Sequence, residues 1–197
     1  KVIAISTDKA VKPVNAMGMT KALQEKLILS DEITKDKTTF CCVRYGNVLG
    51  SRGSVIPLWD SLLEKNKPLL ITHSDMTRFM LTLSQAIDLV FYALKFGKSG
   101  EIFVKKAPAT KMTNLAQAYA ELKTGKKNYP LKFIGIRSGE KIDEILVSQE
   151  EMRRVMEKKD HFIIKKESLI DKSFLNKSTK LDEYGSGTVK PLTVNEL

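Results

Sequence analysis

Val2-Ile3-Ala4-Ile5-Ser6-Thr7-Asp8-Lys9-Ala10-Val11-Lys12-Pro13-Val14-Asn15-Ala16-Met17-Gly18-Met19-Thr20-Lys21 stands at the head of the chain and sets how the rest is read. The apolar run Val2–Ile5 suits a strand buried on both faces of a parallel sheet. Pro13 and Asn15 mark a helix start, and Ala16, Met19, Leu23 and Leu27 recur at helical spacing between Val14 and Leu29. A hydroxyl, a carboxylate and an amine therefore sit at a strand end, and a second amine, Lys21, follows on the helix. Open α/β folds place their ligands at strand ends of this kind.

Outward from this stretch, Thr38 to Tyr45 reads as a second strand, apolar and β-branched. A glycine-rich loop, Gly46 to Gly53, leads to a helix with Pro57 in its first turn that runs to about Lys65. Short strands are expected at Leu69 to Thr72, Phe79 to Leu83, Glu101 to Val104 and Leu131 to Ile136. Helices are expected from an Ser84 N-cap to near Gly97 and over Thr113 to Leu122. This alternation predicts an α/β fold. Beyond Lys165 the sequence turns polar, so the reading divides it into a body, 1–164, and a tail, 165–197, that wraps the body or is partly disordered.

A length of 197 residues suits one domain, and 42% hydrophobic residues suffice for a core. No apolar run approaches the ~20 residues that span a bilayer, and no signal-peptide pattern opens the chain. The first residue is Lys, not Met, which reads as a fragment or a processed product. Cys41 and Cys42 are adjacent in a strand and are expected to be buried on opposite faces in a reducing, cytoplasmic compartment. His73 and His161 are isolated, and no metal site is expected. The net charge of +10 raises nucleic acid as a partner, but the lysines are scattered and no recognition motif accompanies them. A solvated lysine-rich surface fits better, and a phosphate-bearing small molecule fits as well as nucleic acid does.

Two constellations could carry chemistry. Gly46-Asn47-Val48-Leu49-Gly50-Ser51-Arg52-Gly53 follows a strand and spaces its glycines much as a dinucleotide fingerprint does. Three readings stay open for it: a nicotinamide-pyrophosphate loop, a loop for another phosphate ligand, or a structural turn. In the opening stretch, neighbouring Asp8 and Lys9 can set each other's protonation state, and Met17 and Lys21 share a helix face.

A serine-bearing strand end, a helix and its lysine resemble the short-chain dehydrogenase/reductase superfamily. More narrowly, the stretch from Ser6 to Lys21 resembles the bacterial UDP-N-acetylglucosamine 4,6-dehydratases and related epimerases of capsule, O-antigen and flagellin-glycan synthesis. Arg44 to Val48, Gly53 to Pro57, Met76 to Phe79, Lys106 to Ala109 and Arg137 to Lys141 match the same family in order. The resemblance implies the C-terminal part of a doubly wound Rossmann-like fold with a small α/β substrate-binding subdomain.

It also implies roles, position by position. Thr7, Asp8, Lys9 and Lys21 would be catalytic, with Met17 where the family has a tyrosine. Ser6, Lys21, Tyr45 and Asn47 would bind NAD or NADP. Asn47, Arg52, Ser54, Val55, Arg78, Arg137 and Glu140 would hold the UDP-sugar. The activity implied is a lyase that converts UDP-N-acetylglucosamine to a 4-keto-6-deoxy sugar with inversion at C5. A UDP-sugar 4-epimerase and an inactive nucleotide-sugar-binding fragment are the alternatives. A homo-oligomer is implied, with helix Val14 to Leu29 as its contact. The family's glycine-rich pyrophosphate turn lies upstream of the strand that opens this chain, so weak NAD binding is expected of these residues alone.

Overall fold

The computed structural model describes residues 1–30, 37–166 and 182–197. In chain order the elements are β1 (Val2–Thr7), α1 (Ala16–Ile28), β2 (Phe40–Tyr45), β3 (Asn47–Val48), α2 (Val55–Glu64), β4 (Leu69–Ile71) and β5 (Thr77–Leu81). There follow α3 (Leu83–Phe96), β6 (Ile102–Lys105), β7 (Ala109–Lys111), α4 (Met112–Thr124), β8 (Leu131–Phe133) and β9 (Ile145–Val147). The last are α5 (Gln149–Met152), β10 (Val155–Glu157), β11 (His161–Ile164), β12 (Tyr184–Gly185) and β13 (Pro191–Leu192). They gather into two compact units, one of residues 1–46, 83–106 and 145–185, the other of 47–82, 107–144 and 186–197.

The first unit is built on a five-stranded sheet in the order β1-β2-β6-β11-β10. β1, β2 and β6 are parallel, as the apolar runs require, while β11 and β10 return antiparallel. The register pairs Ser6 with Arg44 and Thr7 with Tyr45. Parallel partners point to the same face, so Ser6 and Arg44 project together. The other face buries Cys41, Val43 and Phe103 against Leu89 and Ala93 of α3, with Tyr92 and Tyr45 at its margin. Both cysteines are buried and unbridged, and burial raises their thiols to about 11 for Cys41 and about 12 for Cys42.

α1 departs from its expected packing. Met19, Leu23 and Leu27 are 55%, 60% and 53% exposed, so the apolar stripe faces away from the sheet. The residues buried on this helix are Gly18 and Glu25. Polar side chains occupy the sheet-facing side because Ser6 and Arg44 offer hydrogen bonds there. Gly18 is required by close approach: a Cβ at that position would lie 2.3 Å from the Lys9 carbonyl oxygen. Asn15 caps the helix by accepting from the Gly18 amide at 2.9 Å.

The second unit has a sheet in the order β13-β7-β5-β3 and a parallel pair, β4 with β8. Its core packs Trp59 of α2 with Leu69, Ile71, Met76, Met80, Leu115 and Ala116. The glycine-rich loop leads into this unit, not onto the five-stranded sheet, so it closes no βαβ crossover of the kind a dinucleotide fingerprint needs. The helix expected from an Ser84 cap begins one residue earlier, at Leu83. Of the segment expected as a tail, 167–181 lies outside the described residues. Tyr184–Gly185 pairs with Ile145–Val147, and Pro191–Leu192 with Ala109–Thr110. Among the described residues no helix is long and apolar enough to cross a membrane.

Candidate active site

The end of β1 turns directly into a single 3-10 turn, Asp8–Ala10. Thr7 Oγ1 donates to Asp8 Oδ1 at 2.7 Å, and Lys9 Nζ lies 3.0 Å from the same oxygen. The Asp8 side chain is wholly buried, and its Oδ2 has no hydrogen-bond partner among the described residues. A buried carboxylate oxygen without a donor is costly unless something else supplies one. Thr7 and Lys9 are half-buried beside it.

Lys21 reaches back to the same strand end. Its Nζ donates to the Ile5 carbonyl at 3.0 Å and to Gln24 Oε1 at 2.9 Å. An ammonium has three donors, so one has no acceptor among the described residues. Met17, where a proton-transferring tyrosine would stand, is exposed on the first turn of α1. Ser6 is buried, and its hydroxyl is given to Glu25 Oε1 at 2.5 Å. Tyr45 is half-buried against the α3 face, where burial raises its phenol above the ordinary value.

Sequence reasoning missed the network behind this strand end. Arg44 donates from Nε to Glu25 Oε1 at 2.9 Å and from Nη2 to Glu25 Oε2 at 2.6 Å. It also donates to both oxygens of Glu151, at 3.0 and 2.8 Å, and to the Leu146 carbonyl at 2.8 Å. Burial opposes the Arg44 charge, but the two carboxylates outweigh it and raise its pKa. Burial likewise pushes Glu151 up, and Arg44 and Ser148 more than reverse it, leaving Glu151 below the ordinary value. The available signal was a charged residue inside the apolar strand Phe40–Tyr45 and a glutamate one turn beyond Lys21.

The residues expected to hold a nucleotide sugar all fall in the second unit. Asn47 and Arg52 are exposed, and Arg52 lies between Gly50 and Gly53, which adopt left-handed φ of 72° and 71°. Ser54 precedes α2 without capping it by its side chain, and Val55 begins that helix. Arg78 spends its guanidinium on carbonyls, donating to Thr77 O at 2.7 Å, Ile142 O at 2.9 Å and Lys141 O at 2.9 Å. Glu140 accepts from the Arg137 amide at 3.1 Å, closing a turn that leaves the Arg137 side chain exposed. Arg78 and Glu140 thus shape the 137–142 segment, while Arg52 and Arg137 present guanidinium groups at the surface.

A family model described as polysaccharide biosynthesis protein matches residues 1–166. The chain belongs to that family. UDP-glucose 4-epimerase of Rickettsia bellii (strain OSU 85-389) is 43% identical over 205 residues, covering 100% of this chain and 60% of the relative. Among solved structures, Pen from Bacillus thuringiensis is 36% identical, with a TM-score of 0.84 over 99% of this chain and 59% of that one. UDP-glucuronic acid 4-epimerase from Bacillus cereus, solved with UDP-glucuronic acid and NAD, shares the fold at 21% identity and a TM-score of 0.61, covering 71% of this chain and 50% of that one. The chain therefore spans about three fifths of the length of the curated relative it matches. The fold is the Rossmann-like one of the extended short-chain dehydrogenase/reductases, in the part that corresponds to their C-terminal residues.

These likenesses correct one expectation. The family resemblance implied a lyase, and that class is not supported: the curated relative is named a 4-epimerase, and the solved structures alike in fold are named as 4-epimerases and as 4,6-dehydratases. The reason lies in the chemistry: oxidation at C4 opens both reactions, so motif matching alone does not separate the two.

Proposed function

We propose that these residues form the proton-handling and substrate-binding part of an NAD-dependent UDP-hexose 4-epimerase in surface-polysaccharide synthesis. The observation that carries the reading is the Thr7–Asp8 pair, a hydroxyl hydrogen-bonded to a buried carboxylate whose other oxygen lacks a partner among the described residues. A sugar 4-OH set against Thr7 Oγ1 can pass its proton through that hydroxyl to Asp8, which supplies the base that Met17 cannot. Lys9, 3.0 Å from Asp8 Oδ1, holds the carboxylate in place and balances its charge.

Lys21 fits a nicotinamide cofactor, since its remaining donor suits a ribose hydroxyl. Bound NAD would supply reversible hydride transfer at C4, with return to the opposite face giving the epimer. Arg52 and Arg137 are the guanidinium groups available for a diphosphate. Asn47, Ser54 and Val55 line the same approach in the sequence, and Arg78 and Glu140 keep the 137–142 segment in shape. The exposed Met19, Leu23 and Leu27 stripe on α1 supports a homo-oligomer. Two buried, unbridged cysteines support a reducing cytoplasm as its location.

The test is made at the full length of the curated relatives. UDP-glucose and NAD are incubated with the enzyme, and the product is read by NMR and mass spectrometry. UDP-galactose of unchanged mass is the expected result. A product lighter by one water, or unchanged substrate, overturns the reading.

A further inference from the structure

The sheet-facing side of α1 is tied to β1 by directional bonds instead of apolar contact. Lys21 and Gln24 both reach the Ile5 carbonyl, and one turn later Glu25 receives the Ser6 hydroxyl. Ile5 and Ser6 are the residues that immediately precede Thr7 and Asp8. Glu25 is itself held by two Arg44 N–H groups, and the rest of that guanidinium is fixed by Glu151 and the Leu146 carbonyl. Every guanidinium nitrogen of Arg44 therefore has a partner. Glu151 is fixed in turn, closing a capping box with Ser148 at the start of α5. A continuous chain of polar bonds thus runs from α5 through Arg44 on β2 to Ser6, the residue before Thr7.

We propose that Glu25 is a positioning residue for epimerisation. It locks the Lys21 ammonium and the Thr7–Asp8 pair into one register by holding the Ser6 hydroxyl and the Arg44 guanidinium at the same time. The assignment rests on the reading of Thr7, Asp8 and Lys21 given above. Glu25 touches none of the reacting atoms and acts through Ser6 on one side and through its own helix turn on the other. A site whose groups must align within a fraction of an ångström loses rate steeply when such support is removed.

Two variants separate positioning from folding. Ser6→Ala breaks the link to the strand end and leaves Glu25 bound to Arg44. Glu25→Gln keeps an acceptor for Ser6 but removes the charge, while Glu151 continues to neutralise Arg44. In the full-length enzyme both are expected to lower kcat about tenfold or more, with KM for UDP-glucose within about twofold. Glu25→Gln is expected to retain more of kcat than Glu25→Ala. Thermal midpoints of Ser6→Ala and Glu25→Gln are expected within a few degrees of wild type. A wild-type kcat in either variant, or a loss of rate that only tracks loss of folded protein, overturns the proposal.

If the wild type itself does not epimerise, the functional reading fails and hydrogen exchange decides this one. The Val11 amide, which donates to the Asp8 carbonyl at 3.1 Å, is expected to exchange faster in Ser6→Ala. Unchanged exchange there overturns the positioning role.

Discussion

Thr7 Oγ1 donates to Asp8 Oδ1 across 2.7 Å, and among the described residues the second oxygen of that buried carboxylate has no partner. On the proposed reading, this hydroxyl is a proton conduit with a base behind it. Removing the hydroxyl with Thr7→Val, or the base with Asp8→Asn, is expected to cut kcat by about 10²–10⁴-fold. UDP affinity, measured by calorimetry, is expected to be unchanged, because the guanidinium groups assigned to the diphosphate belong to the other unit. Full turnover in Asp8→Asn would remove Asp8 from the mechanism.

Gly18 lets α1 start against the turn that carries Asp8. A methyl group there would lie 2.3 Å from the Lys9 carbonyl oxygen and 3.1 Å from Pro13 Cβ. Backbone cannot retreat as a flexible side chain can, so Gly18→Ala is expected to cost about 1–3 kcal/mol in spite of alanine's better helix propensity. The midpoint of thermal unfolding checks it, with a fall of about 2–4 °C per kcal/mol for a chain of this size.

Arg44 sits between two buried carboxylates, and Arg44→Met is expected to destabilise by about 3–5 kcal/mol at neutral pH because both charges are then uncompensated. The pH dependence reverses sign. In the wild type the Glu151 pKa lies below its ordinary 4.5, so its contribution is present above that value and is lost as pH falls through the lower folded value. In Arg44→Met, burial, the largest influence on Glu151, is opposed by the Ser148 hydrogen bonds but no longer by the guanidinium, so stability is expected to rise as pH falls from 7 towards 5. Urea unfolding at the two pH values measures the difference.

His161 lies on β11, 4.4 Å from the Tyr92 ring centre and 6.2 Å from that of Phe103. Burial, with the Lys105 charge next, depresses its pKa below 6.5, while Asp160 opposes this and Lys158 and Lys106 add to it. The folded protein therefore prefers the neutral ring. Its contribution is complete above about pH 6.5 and is lost as pH falls below that. His161→Phe is expected to flatten the decline of the thermal midpoint between pH 6.5 and 5. A parallel decline in both proteins would show that the ring does not titrate in that range.

The backbone plan was readable because buried parallel strands and capped helices leave strong local patterns. Val2–Ile5, Phe40–Tyr45 and the helix after Pro57 all lie where their composition puts them. The buried polar network was not readable, since Ser6, Glu25, Arg44 and Glu151 are brought together by strand register and not by spacing along the chain. The apolar stripe of α1 misled for a related reason: periodicity shows that a helix has two faces, not which of them meets the sheet. Arg78 was legible as a guanidinium near Thr77 but not as a clamp on the Lys141 and Ile142 carbonyls, which lie more than sixty residues away.

The two units are interleaved, and the chain passes from one to the other after residues 46, 82, 106, 144 and 185. Pairing Cys42 with Ile102 in the first sheet means closing a loop that holds the whole of the second unit's first segment together with α3. Such closure costs little at equilibrium but slows assembly, so β1 with β2 has a shorter search than β2 with β6. No single cut can release either unit whole. Protease nicking at any one crossing would divide at least one unit between the two fragments, and swapping the second unit between relatives would require at least three simultaneous grafts.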